Sequence, residues 1–203
     1  MNIPHIMPFQ LDPFNGDKFI EAEFISLKNK FGLNTAFETG TCFGSSTLFL
    51  SDNFDRVVTI ENNIEYLNIA HQRLKEGERT NVKTVFGDSG EVTYDAIVDN
   101  LVDDKTMFFL DAHFNSYCPL RDELKAIALA GIKPVIAIHD FKVPEQDGLG
   151  FDSYNGQDFE LSWIFSDLNE IYGQGEWEYH YNTEENSAGA KRGIIYIYGK
   201  VTD

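Results

Sequence analysis

Short apolar runs alternate with helically patterned stretches along most of this chain, and that alternation leaves few folds open. Extended segments are expected at 35–38, 56–60, 82–86, 107–110 and 134–138, with helical patterns at 45–51, 64–74, 92–101 and 120–130 between them. Strands that take turns with helices lie parallel in one sheet, because each crossover returns the chain to the end it started from. Asp17 is placed to cap an earlier helix that carries Phe19, Ile20, Phe24, Ile25 and Leu27 and stops near Gly32. After the fifth strand come a loop with Pro144, Gly148, Gly150 and Gly156, a helix bearing Leu161, Ile164, Phe165, Leu168 and Tyr172, and closing strands at 177–181 and 193–198. The result is a seven-stranded, doubly wound α/β sheet.

The chain has 203 residues, 42% of them hydrophobic and 17 of them Phe, which is ample for one core. One domain over 1–203 is expected, with 1–30 as an N-terminal helical cap and 142–157 as a loop over the site. Sixteen Lys and Arg against 33 Asp and Glu give a formal charge of −17, which argues against nucleic acid and against an anionic membrane surface. No stretch approaches the roughly 20 apolar residues of a membrane span. Cys42 and Cys118 form no disulfide framework, so a reducing, cytoplasmic setting is expected. A homo-oligomer is compatible with all of this.

Ligands of doubly wound sheets bind beyond the carboxyl ends of the strands. At those five ends stand Glu38, Glu61, Gly87-Asp88-Ser89, Asp111-Ala112-His113 and His139-Asp140. Each alone reads as a turn former or a helix cap. Together, in register, they point to one shared site. Gly40 and Gly44 form G-x-x-x-G, which lets backbone approach a ligand without a β-carbon in the way. Position 42 is Cys, unlike the dinucleotide pattern G-x-G-x-x-G, and the Gly-Lys-Ser/Thr ending of a P-loop is missing. Glu61 suits the two hydroxyls of a ribose, and Asp88 with Ser89 suits an adenine edge, with a plain Gly-Asp-Ser-Gly turn as the alternative.

On these residues the chain resembles the class I S-adenosylmethionine-dependent methyltransferases over roughly residues 31–198. The D-x-H of Asp111 and His113 followed by the H-D of His139 and Asp140 is similar to the macrocin O-methyltransferase-like and cephalosporin hydroxylase-like branch. The resemblance implies a Rossmann-like methyltransferase fold whose last strand runs antiparallel. It implies Glu38, Gly40 and Gly44 around the methionine part of the cofactor, Glu61 at the ribose, Asp88 and Ser89 at the adenine, and Asp111 at the sulfonium end.

It also implies a catalytic group drawn from His113, His139 and Asp140. A divalent cation, Mg²⁺ or another, would be held by Asp111, Asp140 and His139, although His139 and Phe141 flank Asp140 where metal-using members offer a further acid or Asn. The expected reaction is O-methylation of a small hydroxylated acceptor, met by 1–30 and 142–157 with Phe14, Phe141, Phe151 and Tyr154 as candidate walls. A dinucleotide-dependent oxidoreductase and a non-catalytic nucleoside-binding module are the competing readings.

Overall fold

The first helix, α1 (Lys18–Phe31), begins where Asp17 Oδ1 accepts hydrogen bonds from the backbone N–H groups of Phe19 and Ile20. It ends on Gly32 in the left-handed conformation, as its sequence signals require. The structure is a computed structural model and describes residues 11–114 and 116–200. Residues 1–10 of the expected N-terminal cap lie outside the described residues.

From α1 the chain runs through β1 (Thr35–Thr39), α2 (Ser45–Asn53), β2 (Arg56–Glu61), α3 (Ile64–Glu76), β3 (Val82–Phe86), α4 (Ser89–Asp99), β4 (Thr106–Leu110), α5 (Leu120–Ala130) and β5 (Val135–His139). A small hairpin of β6 (Ser153–Tyr154) and β7 (Gln157–Asp158) follows, then α6 (Leu161–Tyr172), β8 (Trp177–Tyr181) and β9 (Ile194–Gly199). The main sheet has the order β3-β2-β1-β4-β5-β9-β8. Strands β1 to β5 are parallel, and β9 runs antiparallel to both β5 and β8.

Both sheet faces are covered, which explains why β1, β4 and β5 are buried at every position. Phe37, Phe108 and Ile136 point to one face and pack with Ile97, Leu124, Ile127, Ile164 and Leu168 from α4, α5 and α6. Ala36, Met107, Phe109 and Ala137 point to the other, against Ile20, Phe24, Leu27 and Leu50 from α1 and α2. Phe37 and Phe108, paired in register on adjacent strands, stack with ring centroids 4.6 Å apart.

Two elements depart from the sequence reading. Helix α4 starts at Ser89, earlier than expected, because Asp88 caps it by accepting from the Gly90 N–H at 3.0 Å. The glycine in its first turn makes that stretch read as a bare turn. The β6–β7 hairpin forms inside the segment expected to be a loop. Among the described residues, no helix is long and apolar enough to cross a membrane.

Candidate cofactor and catalytic site

Strand order reverses direction at β1: the chain builds outward through β2 to β3, then crosses back to β4 on the other side of β1, and a crevice opens at such a switch point. A cleft of about 600 Å³ lies there, lined by Gly40, Glu61, Asp88, Ser89, Asp111 and His113 among others. Gly40 keeps it open. Its φ is +86°, and a β-carbon at this position would stand 2.6 Å from the Asp111 carbonyl oxygen.

Two of the residues expected to touch the cofactor lie behind this wall. Glu38 is fully buried, and its Oε2 accepts from Thr47 Oγ1 at 2.5 Å and Thr59 Oγ1 at 2.7 Å. It therefore ties α2 to β2 under the loop. Gly44 starts α2 with φ +76° and lies against Ala70 of α3. Glu61 does face the cleft: Oε2 accepts from the Cys42 N–H at 2.7 Å and Oε1 from the Asn63 N–H at 2.8 Å. Each oxygen keeps a second lone pair for a ligand hydroxyl.

Asp88 combines two roles, as cap of α4 and as acceptor of the Tyr117 hydroxyl at 2.6 Å. Tyr117 also lines the cleft, and nothing in its polar surroundings marks it in the sequence. Ser89 is backed by Glu123, from the first turn of α5, which hydrogen-bonds with Ser89 and with Thr39. Glu123 is 1% exposed, its Oε1 has no partner, and burial pushes its carboxyl up to about 7.

Folding therefore favours the protonated form of Glu123. Its contribution to stability is fully present below the unfolded carboxyl value and is lost as pH rises through about 7. For Glu123→Gln the difference in unfolding free energy between about pH 5 and about pH 8 is expected to shrink by roughly 1–3 kcal/mol. Urea titrations at the two pH values measure this, and a pH dependence equal to that of the parent protein refutes it.

At the other end of the cleft the neighbouring strands β4 and β5 deliver the acid and histidine residues together. His113 Nε2 lies 2.9 Å from Asp140 Oδ2, 3.7 Å from Asp111 Oδ1 and 3.6 Å from Asp152 Oδ2. His139 Nδ1 lies 3.2 Å from Asp111 Oδ1 and 3.4 Å from Asp140 Oδ1. Asp140 takes a left-handed backbone, φ +57°, directly after β5, a conformation that Asp tolerates better than most residues. The His113 ring is held edge-on to Phe159 at 4.8 Å.

Burial pushes both imidazoles down, but the carboxylates outweigh it. The hydrogen bond to Asp140 leaves His113 above its ordinary value, and Asp111 and Asp140 hold His139 well above it. Burial pushes Asp140 up, yet His139, His113 and Arg192 together hold it far below the usual carboxylate range. His139 is 3% exposed and reaches the cleft only through Asp111.

Two members of this cluster, Asp152 and Arg192, are absent from the sequence reading. Arg192 donates from Nε to Asp140 Oδ1 and from Nη2 to Asp152 Oδ1, and the Tyr154 hydroxyl donates to Asp152 Oδ2 at 3.2 Å. Their only signal is position in polar loops. Of the aromatic residues considered for the acceptor, Phe14 lines the cleft, whereas Phe141 is wholly buried in the core and Phe151 lies under Lys142. Among the described residues, two sets of possible metal donors converge within 4.8 Å, Asp111, His139 and Asp140, and His113, Asp140 and Asp152. Both include Asp140, whose two oxygens already serve His113 and Arg192.

No family model and no curated protein matches the sequence. Solved structures do resemble it in fold. The O-methyltransferase TomG from Streptomyces achromogenes, in complex with S-adenosylmethionine, is 15% identical over 90% of this chain and 80% of its own, with a TM-score of 0.61. The N-terminal domain of EvdMO1 with S-adenosylhomocysteine bound is 16% identical over 90% of this chain and 81% of its own, with a TM-score of 0.58. An rRNA methylase from Streptococcus thermophilus is 12% identical over 92% and 97%, with a TM-score of 0.58. The chain has the Rossmann-like methyltransferase fold, a mostly parallel seven-stranded sheet with β9 antiparallel.

Proposed function

We propose that the protein is an S-adenosylmethionine-dependent methyltransferase that methylates a hydroxyl group of a small acceptor. The observation that carries this reading is one cleft with the Gly40 opening and Glu61 at one end and Asp111 and His113 at the other. The residues fit the cofactor. Glu61 offers lone pairs to two adjacent ribose hydroxyls, and Gly40 leaves room where a β-carbon would strike Asp111. When bound, the cofactor supplies an electrophilic methyl group on sulfur.

The chain's own work is then alignment and removal of a proton. His113 stands in the cleft wall with Nε2 fixed on Asp140, so in its neutral form Nδ1 keeps the lone pair that takes the acceptor's hydroxyl proton. Asp111, held by the His139 ring, faces the cleft as the nearest negative charge to a sulfonium. The formal charge of −17 favours a small acceptor over RNA, even though an rRNA methylase shares the fold. A cytoplasmic setting and a homo-oligomer belong to the same proposal.

Metal assistance fits this donor set poorly. A divalent ion in either triad has to share Asp140 with His113 and with the positive charge of Arg192. No step of the proposed reaction runs through one.

Calorimetric titration with S-adenosylhomocysteine tests the reading. Binding is expected, and Glu61→Ala is expected to weaken it by about 10- to 100-fold, since hydrogen bonds to a charged group are lost. Absence of any binding to the parent protein sinks the proposal. A fluorescence titration with NADH, expected to show none, separates it from the dinucleotide reading.

A further inference from the structure

We propose that Arg192 is the resident cation of the acid and histidine cluster, filling between Asp140 and Asp152 the place that a divalent ion would otherwise take, so that the site works without a bound metal. The part that concerns activity rests on the methyltransferase reading. The part that concerns metal affinity does not.

The first support is the way Arg192 is delivered. His139, the last residue of β5, pairs with Ile194, the first residue of β9. Because the two strands run in opposite directions, the Arg192-Gly193 segment that leads into β9 arrives at the same sheet end as Asp140. In a parallel arrangement it would arrive at the other end. The backbone there is fixed on both sides. Gly193 N–H donates to Gly150 at 2.8 Å, Gly150 N–H donates to Lys191 at 2.9 Å, and the Phe141 N–H donates to Gly193 at 2.9 Å.

The second support is the room made for the guanidinium. A β-carbon on Gly150 would stand 2.7 Å from Arg192 Nη1, so a side chain there would push the group off its partners. Asp152 is held in turn by its own N–H, which donates to the Asp140 carbonyl at 2.9 Å. The planar fork then engages Asp140 through Nε and Asp152 through Nη2 at once, a geometry that a lysine ammonium cannot reproduce.

The third support is competition for the same carboxylates. Both donor triads need Asp140, and one of them also needs Asp152. A guanidinium does not lose its proton in a protein, so an incoming dication meets a permanent positive charge beside the oxygens it requires. Arg192 therefore opposes the metal by its charge and by its hold on both carboxylates.

The test is calorimetric titration of MnCl₂ into chelator-treated protein, comparing the parent chain with Arg192→Ala and Arg192→Lys. The parent and the lysine variant are expected to bind no tighter than about millimolar, and the alanine variant at least about tenfold tighter. Micromolar Mn²⁺ binding to the parent protein overturns the proposal. So does an alanine variant that gains no affinity. Should Arg192→Ala fail to fold, Arg192→Gln, which keeps a hydrogen-bonding head without charge, is read for the same two outcomes. Activity of the parent protein unchanged by EDTA is the expected companion result, and loss of activity overturns the proposal. If S-adenosylhomocysteine does not bind at all, the methyltransferase reading fails while the Mn²⁺ titrations still decide the place of Arg192.

Discussion

Gly40→Ala is expected to lower the affinity for S-adenosylhomocysteine by more than about 100-fold and to cost the fold roughly 2–4 kcal/mol. Two independent terms add here. The residue has φ +86°, a region that side chains with a β-carbon enter only under strain. The added carbon would also lie 2.6 Å from the Asp111 carbonyl oxygen and 2.9 Å from its carbonyl carbon. Both neighbours are backbone, so neither can swing aside. Relief requires β1 and β4 to part at their carboxyl ends, where the cleft forms. Urea denaturation and calorimetry on the same variant measure the two effects. Affinity within threefold of the parent protein would mean that the ligand does not use this opening.

The second large effect is expected at Asp140. Asp140→Asn is expected to reduce kcat by about 10²- to 10³-fold while S-adenosylhomocysteine affinity changes less than about threefold. The amide keeps the shape of the side chain but no longer holds His113 Nε2 with a full negative charge. It also leaves the Arg192 guanidinium with one carboxylate partner in place of two. Asp140→Ala goes further, taking from His113 its nearest carboxylate and leaving Arg192 with Asp152 alone, at an expected cost of roughly 3–5 kcal/mol of stability. Single-turnover rates, read beside the binding constants, separate the catalytic effect from the structural one. If cofactor affinity falls in step with kcat for the Asn variant, Asp140 belongs to the cofactor site and His113 is not its target.

The strands and the long helices were legible because their signals are local. The β-branched and aromatic runs of β1 and β3, and the spacing of Leu120, Leu124 and Ile127 on α5, show in any short window of the chain. The strand-end acids were legible for a different reason: a doubly wound sheet gathers its carboxyl ends, so Glu61, Asp88 and Asp111 can be assigned to one place from their positions along the chain alone. What the sequence hides is the direction in which a side chain leaves that edge. Glu38 and Glu61 stand at equivalent strand ends, yet Glu38 turns into the core towards Thr47 and Thr59. Asp152 and Arg192 were hidden more deeply. Arg192 is 52 residues from Asp140 and 40 from Asp152, and only the closing strand brings them together. Glu123 looks like an ordinary acid in the first turn of a helix until α5 is laid over Thr39 and Ser89.

The place of β9 between β5 and β8 also sets the order in which the molecule becomes competent. As a growing chain leaves the ribosome, Asp111, His113, His139 and Asp140 are all made before Arg192. Until β9 slides in, β5 is an open edge that invites a wrong partner, and Asp140 lacks its guanidinium. One event closes that edge and completes the site. A molecule that has not seated its closing strand thus lacks both guanidinium contacts of the cluster, to Asp140 and to Asp152.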